Sequence, residues 1–168
     1  MLRPRLRGVL HQWAFAVSLL AGGSLVLEAG SARACVAVSV YALSVAALFG
    51  TSALHHRVAW RTLGAGRWIR RRDHTMIFVL IAGSHTPFGL PVLHGTLGTA
   101  IPIAAWSAAP AGAMFKLVWI DHFGWLSAAM YIALGWIAIV ALPGWCAVSG
   151  SSRTRPWGLA ASSTARAR

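Results

Sequence analysis

The chain has 168 residues, of which 57% are hydrophobic and only 11% are charged. This leaves too little polar surface to enclose a water-soluble globule, so the composition predicts a membrane protein. Fifteen lysines and arginines against three acids give a net charge of +12, which elsewhere would indicate nucleic-acid binding. Here the basic residues flank apolar runs, as the anionic inner leaflet favours, so we expect membrane lipids and no nucleic acid as partners.

Five uncharged segments approach the roughly 20 apolar residues that a helix needs to cross a hydrocarbon core. They are residues 9–27, 34–54, 75–93, 96–115 and 123–142. Their Gly, Ala, Ser and Thr content suits close packing between helices in lipid. The segments therefore predict an all-α, polytopic transmembrane bundle over residues 1–142.

The placement of arginine predicts the orientation of this bundle. Three arginines precede the first segment, and six connect the second and third segments, whereas the opposite side receives only Arg33 before the C-terminal tail. The positive-inside rule then puts the N-terminus in the cytoplasm. The first segment is long for a signal peptide, and Arg33 disfavours cleavage within Ala32-Arg33-Ala34, so we expect an uncleaved first helix.

The tail, residues 143–168, differs from the rest of the chain. It is rich in Gly, Ser, Ala and Arg, has no apolar run long enough to span, and would lie outside despite its four arginines. We expect it to be disordered. It is either an ordinary exposed tail or a non-native product of a reading-frame change near Gly144, because misread GC-rich codons yield these residue types.

Three side chains form the constellation with the most chemical promise. Ser52 and His56 lie four residues apart at the end of the second segment, so they share one helix face, and Asp73 opens the third segment on the same side. An imidazole, a hydroxyl and a carboxylate at one depth can bind zinc or activate water. Two of them also have a structural interpretation: His56 as an interfacial residue, and Asp73 as a partner of the helix dipole and neighbouring arginines.

The other histidines have weaker claims. Successive helical residues point about 100 degrees apart, so His55 is expected to face away from His56, and His74 away from Asp73. One member of each pair can serve, not both. His85 lies twelve residues beyond Asp73, so we expect it to pack as a neutral, hydrogen-bonded residue.

Three motifs together resemble the hemolysin III family, the bacterial branch of the progestin and adipoQ receptors. They are Phe-Gly-Thr-Ser-Ala-Leu-His-His at 49–56, Arg-Asp-His-Thr-Met-Ile at 72–77 and Ala-Gly-Ser-His-Thr-Pro-Phe at 82–88. The resemblance implies a seven-helix fold, of which five spans are present here, with zinc near the cytoplasmic ends and kinship to membrane amide hydrolases of the ceramidase type. His56 matches a zinc ligand of the family, Ser52 its neighbouring serine, and Asp73 the carboxylate that holds the zinc-bound water.

The family's other two zinc histidines form a His-x-x-x-His pair on the seventh helix, and this sequence has no histidine after His122. A catalytic zinc needs about three protein ligands, so we expect the 168-residue form to hold well under one zinc per chain. Three functions stay open: a zinc-dependent hydrolase of lipid amides, a non-enzymatic sensor or pore-forming hemolysin, and an inactive truncated product.

Overall fold

The computed structural model describes residues 8–91, 96–118 and 124–153. Over these residues the chain forms five α-helices in sequence. They are α1 (Val9–Leu27), α2 (Ala32–Arg57), α3 (Leu63–Gly89), α4 (Thr96–Val118) and α5 (Gly124–Arg153). The predicted all-α helical bundle is confirmed.

Short connections with capping side chains turn the chain between the first three helices. Ser31 caps α2 by accepting a hydrogen bond from the Ala34 amide at 3.2 Å, and Thr62 caps α3 by accepting one from the Ala65 amide at 3.1 Å. Four and five residues separate α1 from α2 and α2 from α3. Connections this short make consecutive helices antiparallel neighbours.

Helix α3 begins twelve residues earlier than the predicted segment 75–93, at Leu63. The Thr62 cap starts it, and arginine, a good helix former, lets it continue through the basic stretch. Its first three turns therefore carry Arg67, Arg70, Arg71 and Arg72 before the apolar half enters the bundle. Asp73 accordingly lies inside a helix and does not open one.

Helix α5 extends eleven residues beyond the predicted end at Leu142. The expected disorder of residues 143–168 therefore does not hold for residues 143–153, which are helical. Helix propagation costs little once a long nucleus exists, and this outweighs the Gly and Ser content of the segment. Residues 154–168 lie outside the described part of the chain.

Three of the helical stretches described are long and apolar enough to cross a membrane: Val9–Leu27, Ala32–Arg57 and Gly98–Val118. In α5 the apolar stretch Gly124–Ile137 is shorter. Large apolar side chains point outward along α1, at Leu10, Trp13, Val17, Leu19, Leu20, Leu25 and Leu27. These side chains face the lipid, because exposing so continuous an apolar surface to water would be unfavourable.

Glycines set the distances between neighbouring helices. A Cβ built on Gly22 of α1 would lie 2.7 Å from Ala42 of α2, and one on Gly83 of α3 would overlap Ser44 of α2. Close packing of this kind replaces the hydrophobic driving force, which is weak between helices in lipid.

Helix α3 is central and contacts α2 on one side and α4 and α5 on the other. The core between α3, α4 and α5 comprises Phe78, Ala82, Ala105, Ala109 and Leu134. Polar contacts join the same helices: Trp106 donates to Thr86 at 3.0 Å, and Lys116 donates to Ser127 at 3.0 Å. Lys116 is only 5% exposed, so its side chain is buried where α4 packs against α5.

The Gly83 contact generates a stability prediction. We expect Gly83→Ala to lower the stability of the bundle by about 1–3 kcal/mol, the usual effect of overpacking, because its methyl group would displace the Ser44 side chain. Gly23→Ala is the matched control, since a Cβ there meets no atom within 4 Å. Thermal unfolding in detergent measures both variants, and equal midpoints would contradict the packing role of Gly83.

Candidate metal centre

The candidate site lies where the C-terminal end of α2 passes the first half of α3. The two helices approach each other closely at Ser44 and Gly83. Asp73 lies ten residues before Gly83, and His55 and His56 lie eleven and twelve residues after Ser44. At a rise of about 1.5 Å per residue these positions are about 15–18 Å from the approach point along antiparallel axes, so they reach the same level.

Three donor groups meet at this level. The ligating atoms of His55, His56 and Asp73 all lie within 4.8 Å of one another, and all three residues are partly exposed. Donors around a tetrahedral zinc with bonds of about 2.0–2.1 Å are about 3.3 Å apart, so modest side-chain rotations would bring these atoms to ligating positions. Two imidazoles and one carboxylate are ordinary zinc ligands, and the donor set therefore fits the metal.

The position of His55 corrects a sequence expectation. His55 and His56 were expected to face in different directions, yet their ring centroids are 4.6 Å apart. A rotation of about 100 degrees separates the two Cβ atoms, but long side chains can converge on a point between the two faces. Helical spacing within α2 did not identify His55, because it carries no information on where α3 packs and thus on where Asp73 lies.

Helix α1 adds a further histidine that the sequence did not single out for the site. The His11 ring lies 5.4 Å from the His56 ring, centroid to centroid, and 6.4 Å from that of Phe49. Its Nδ1 is buried and has no hydrogen-bond partner among the described residues. His11 therefore packs beside the cluster as a neighbour of His56.

Gly8 brings the start of α1 onto this site. It has a φ of 83°, in the left-handed region, and a Cβ there would lie 2.6 Å from the Cβ of His56. Glycine is needed here both for the backbone conformation and for the close approach.

The remaining sequence candidates lie outside the three-donor cluster. Ser52 is buried, 6% exposed, one turn before His56, where its catalytic role stays a prediction. The Nδ1 of His74 is 2.9 Å from the Arg70 carbonyl oxygen, a contact within α3. His85 is buried, with Nδ1 2.6 Å from the carbonyl oxygen of Ile81, also in α3. This contact is consistent with the packing role predicted for His85.

The electrostatic surroundings of the cluster are strongly basic. Six arginines lie between positions 57 and 72, and Asp73 is the only acid between Glu28 and Asp121. A divalent cation would gain attraction from one carboxylate only, so the imidazoles must supply most of the affinity. The same field attracts anionic groups to the rim of the site.

Comparisons with known proteins agree with the motifs. A family model described as Haemolysin-III related matches residues 1–161. A "Hemolysin-3 homolog" of Bacillus subtilis (strain 168) is 35% identical over 123 residues, which are 73% of this chain and 57% of the relative. "Hemolysin-3" of Bacillus cereus is 36% identical over 113 residues, 67% of this chain and 51% of the relative. The chain thus spans about half the length of these curated relatives. No solved structure matches it.

The Gly8 contact can be tested at the site. We expect Gly8→Ala to destabilise the chain by about 1–3 kcal/mol, because the new methyl group strains a left-handed residue and collides with His56. Gly30→Ala provides the control, since a Cβ there meets open space and φ is not positive. If thermal unfolding gave the same midpoint for both variants, the packing of α1 against His56 would be refuted.

Proposed function

The chain belongs to the Haemolysin-III related family, and from that premise we propose that it is an integral membrane protein that holds zinc at His55, His56 and Asp73 for the hydrolysis of lipid amides. One observation carries the proposal: α2 and α3 bring three donor atoms within 4.8 Å of one another. Three protein ligands with a fourth position for water or substrate is the arrangement typical of catalytic zinc.

This proposal assigns Asp73 differently from the family resemblance. In the family arrangement, His56 and two histidines of the seventh helix would be the ligands, and Asp73 would hold the zinc-bound water. With His55 also in the cluster, Asp73 is close enough to be the third ligand. Three ligands are then available without the histidines of the family's seventh helix. We therefore propose that the chain binds zinc with higher occupancy than was expected from the sequence, where His56 was the one matched ligand.

Zinc, when bound, would supply a Lewis acid for the amide carbonyl and lower the pKa of a water molecule. The chain itself contributes the positioning. Partial exposure of the cluster admits substrate, and the arginines of α3 attract the anionic product carboxylate. Ser52 is buried one turn from His56, and we propose that its hydroxyl hydrogen-bonds a reacting group that reaches inward along α2.

The experiment first measures the metal. Chain purified in detergent, washed with chelator and given zinc should bind about one ion, as a three-ligand site requires. Loss of an outer-shell partner weakens metal binding by about 10–100-fold. We expect a larger loss of zinc affinity in each of three variants, His55→Ala, His56→Ala and Asp73→Ala. His74→Ala is the matched control, because this neighbour of Asp73 lies outside the cluster and contacts Arg70. If His55→Ala bound zinc as tightly as His74→Ala, the three-donor site would be rejected.

Hydrolysis is measured separately, as fatty acid released from a short-chain ceramide by the zinc-loaded chain. Activity should disappear in Asp73→Ala and persist in His74→Ala. If the chain bound zinc but released no fatty acid, the proposed zinc site would stand and the proposed hydrolase activity would be rejected.

A lytic role is the second candidate, favoured by the name "Hemolysin-3" of the Bacillus cereus relative. The apolar outer face of α1 offers a surface for association within a membrane. Erythrocyte lysis by the purified chain separates the two functions. Lysis that is unchanged in His56→Ala and Asp73→Ala would support a role that needs only the bundle.

We further propose that the N-terminus is cytoplasmic and that the membrane is the plasma (inner) membrane. The six arginines between positions 57 and 72 support this orientation. In a chain with Cys35→Ser and Cys146→Ser, a cysteine at Gly64, where an added Cβ meets no atom within 4 Å, should resist impermeant maleimide in intact spheroplasts and react after permeabilisation. Labelling before permeabilisation would reverse the orientation.

A further inference from the structure

A cavity of about 320 Å³ opens beside the three-donor cluster, between the end of α2 and the start of α3. His55 and His56 line it on the side of α2, and Arg67 and Arg70 line it on the side of α3. Trp60 and Thr62, from the connection between the helices, complete the wall. The cavity is large enough for a phosphate group with several neighbouring atoms, since one water occupies about 30 Å³.

The charge of the lining selects an anion. Two arginines line the cavity, and none of the described residues that line it is acidic. The guanidinium fork matches the oxygens of a phosphate better than a compact ammonium would.

Two features of the connection add to this preference. Thr62 and Gly66 place the N-terminal turn of α3 in the wall, so the positive end of the helix dipole faces the cavity. The indole N–H of Trp60, a residue of the same wall, is buried without an acceptor in the described part of the chain, so a ligand that reaches it would supply one.

The rim of the cavity indicates that the anion is part of a lipid. Leu63 and Trp60 line the cavity, and Leu63 is 88% exposed; Trp68, which follows Arg67 in α3, is 54% exposed. Apolar side chains around an arginine-lined cavity suit a ligand with a charged head and hydrocarbon tails. A free anion would leave this apolar rim in water.

We propose that this cavity binds the phosphate of an anionic phospholipid of the surrounding membrane. The headgroup lies between Arg67, Arg70 and the N-terminal turn of α3, and the acyl chains run along the exposed apolar side chains. The proposal does not depend on zinc or on amide hydrolysis, because the binding groups are the two arginines.

The test uses the purified full chain in detergent with EDTA, so that failure of the metal site cannot affect the result. Native mass spectrometry measures retention of dioleoylphosphatidylglycerol against dioleoylphosphatidylcholine. We expect the anionic lipid to be retained preferentially. Arg67→Gln should weaken its binding about fivefold, and Arg67→Gln with Arg70→Gln about 30-fold, the factors expected for one and two surface charges near an anionic lipid.

Arg33→Gln removes the same charge at the N-terminus of α2, outside the cavity lining, and should leave lipid retention unchanged. Unchanged unfolding midpoints in all variants would show that exposed arginines were replaced without loss of fold. Equal retention of the two lipids, or equal effects of Arg33→Gln and Arg67→Gln, would overturn the proposal. Displacement of the anionic lipid by millimolar inorganic phosphate would assign the cavity to a free anion instead.

Discussion

The close approach of α2 and α3 at Ser44 and Gly83 is the contact on which the candidate site depends. A side chain at position 83 would hold the helices apart, since a Cβ there overlaps Ser44. The hydroxyl of Ser44 donates to the Val40 carbonyl oxygen at 2.7 Å, so the polar atom at this contact is satisfied within its own helix. Because the helices are rigid rods, their spacing at this point fixes the spacing of His55, His56 and Asp73 further along.

The sequence predicted the bundle well, because apolar length and charge placement determine which segments can be transmembrane helices. The predicted first segment coincides with α1, and the predicted starts or ends of α2 and α4 differ by only a few residues. The sequence predicted the helix ends less well where helices extend beyond the apolar region. The basic half of α3 and the end of α5 are helical because of capping and propagation, which hydropathy does not detect.

The site was predictable in part for a similar reason. Motif spacing identified Ser52, His56 and Asp73 on two neighbouring helices, and the structure brings His56 and Asp73 together. It did not identify His55, whose role depends on where α3 lies, or His11, whose position depends on the left-handed Gly8. Such contacts depend on tertiary packing, and one helix face considered alone cannot predict them.

The later helices also support the site, from the opposite side of α3. Tyr131 of α5 donates to the carbonyl oxygen of His74 at 3.2 Å, next to Asp73, and its ring packs on Phe78 at 4.5 Å between centroids. A hydrogen bond to a main-chain atom fixes the backbone from which the carboxylate projects, and aromatic packing one turn later limits rotation of α3. The donor atoms come from α2 and α3, but the orientation of Asp73 is also set by α5. The candidate site on α2 and α3 therefore also gains rigidity from α5, as preorganised sites generally require.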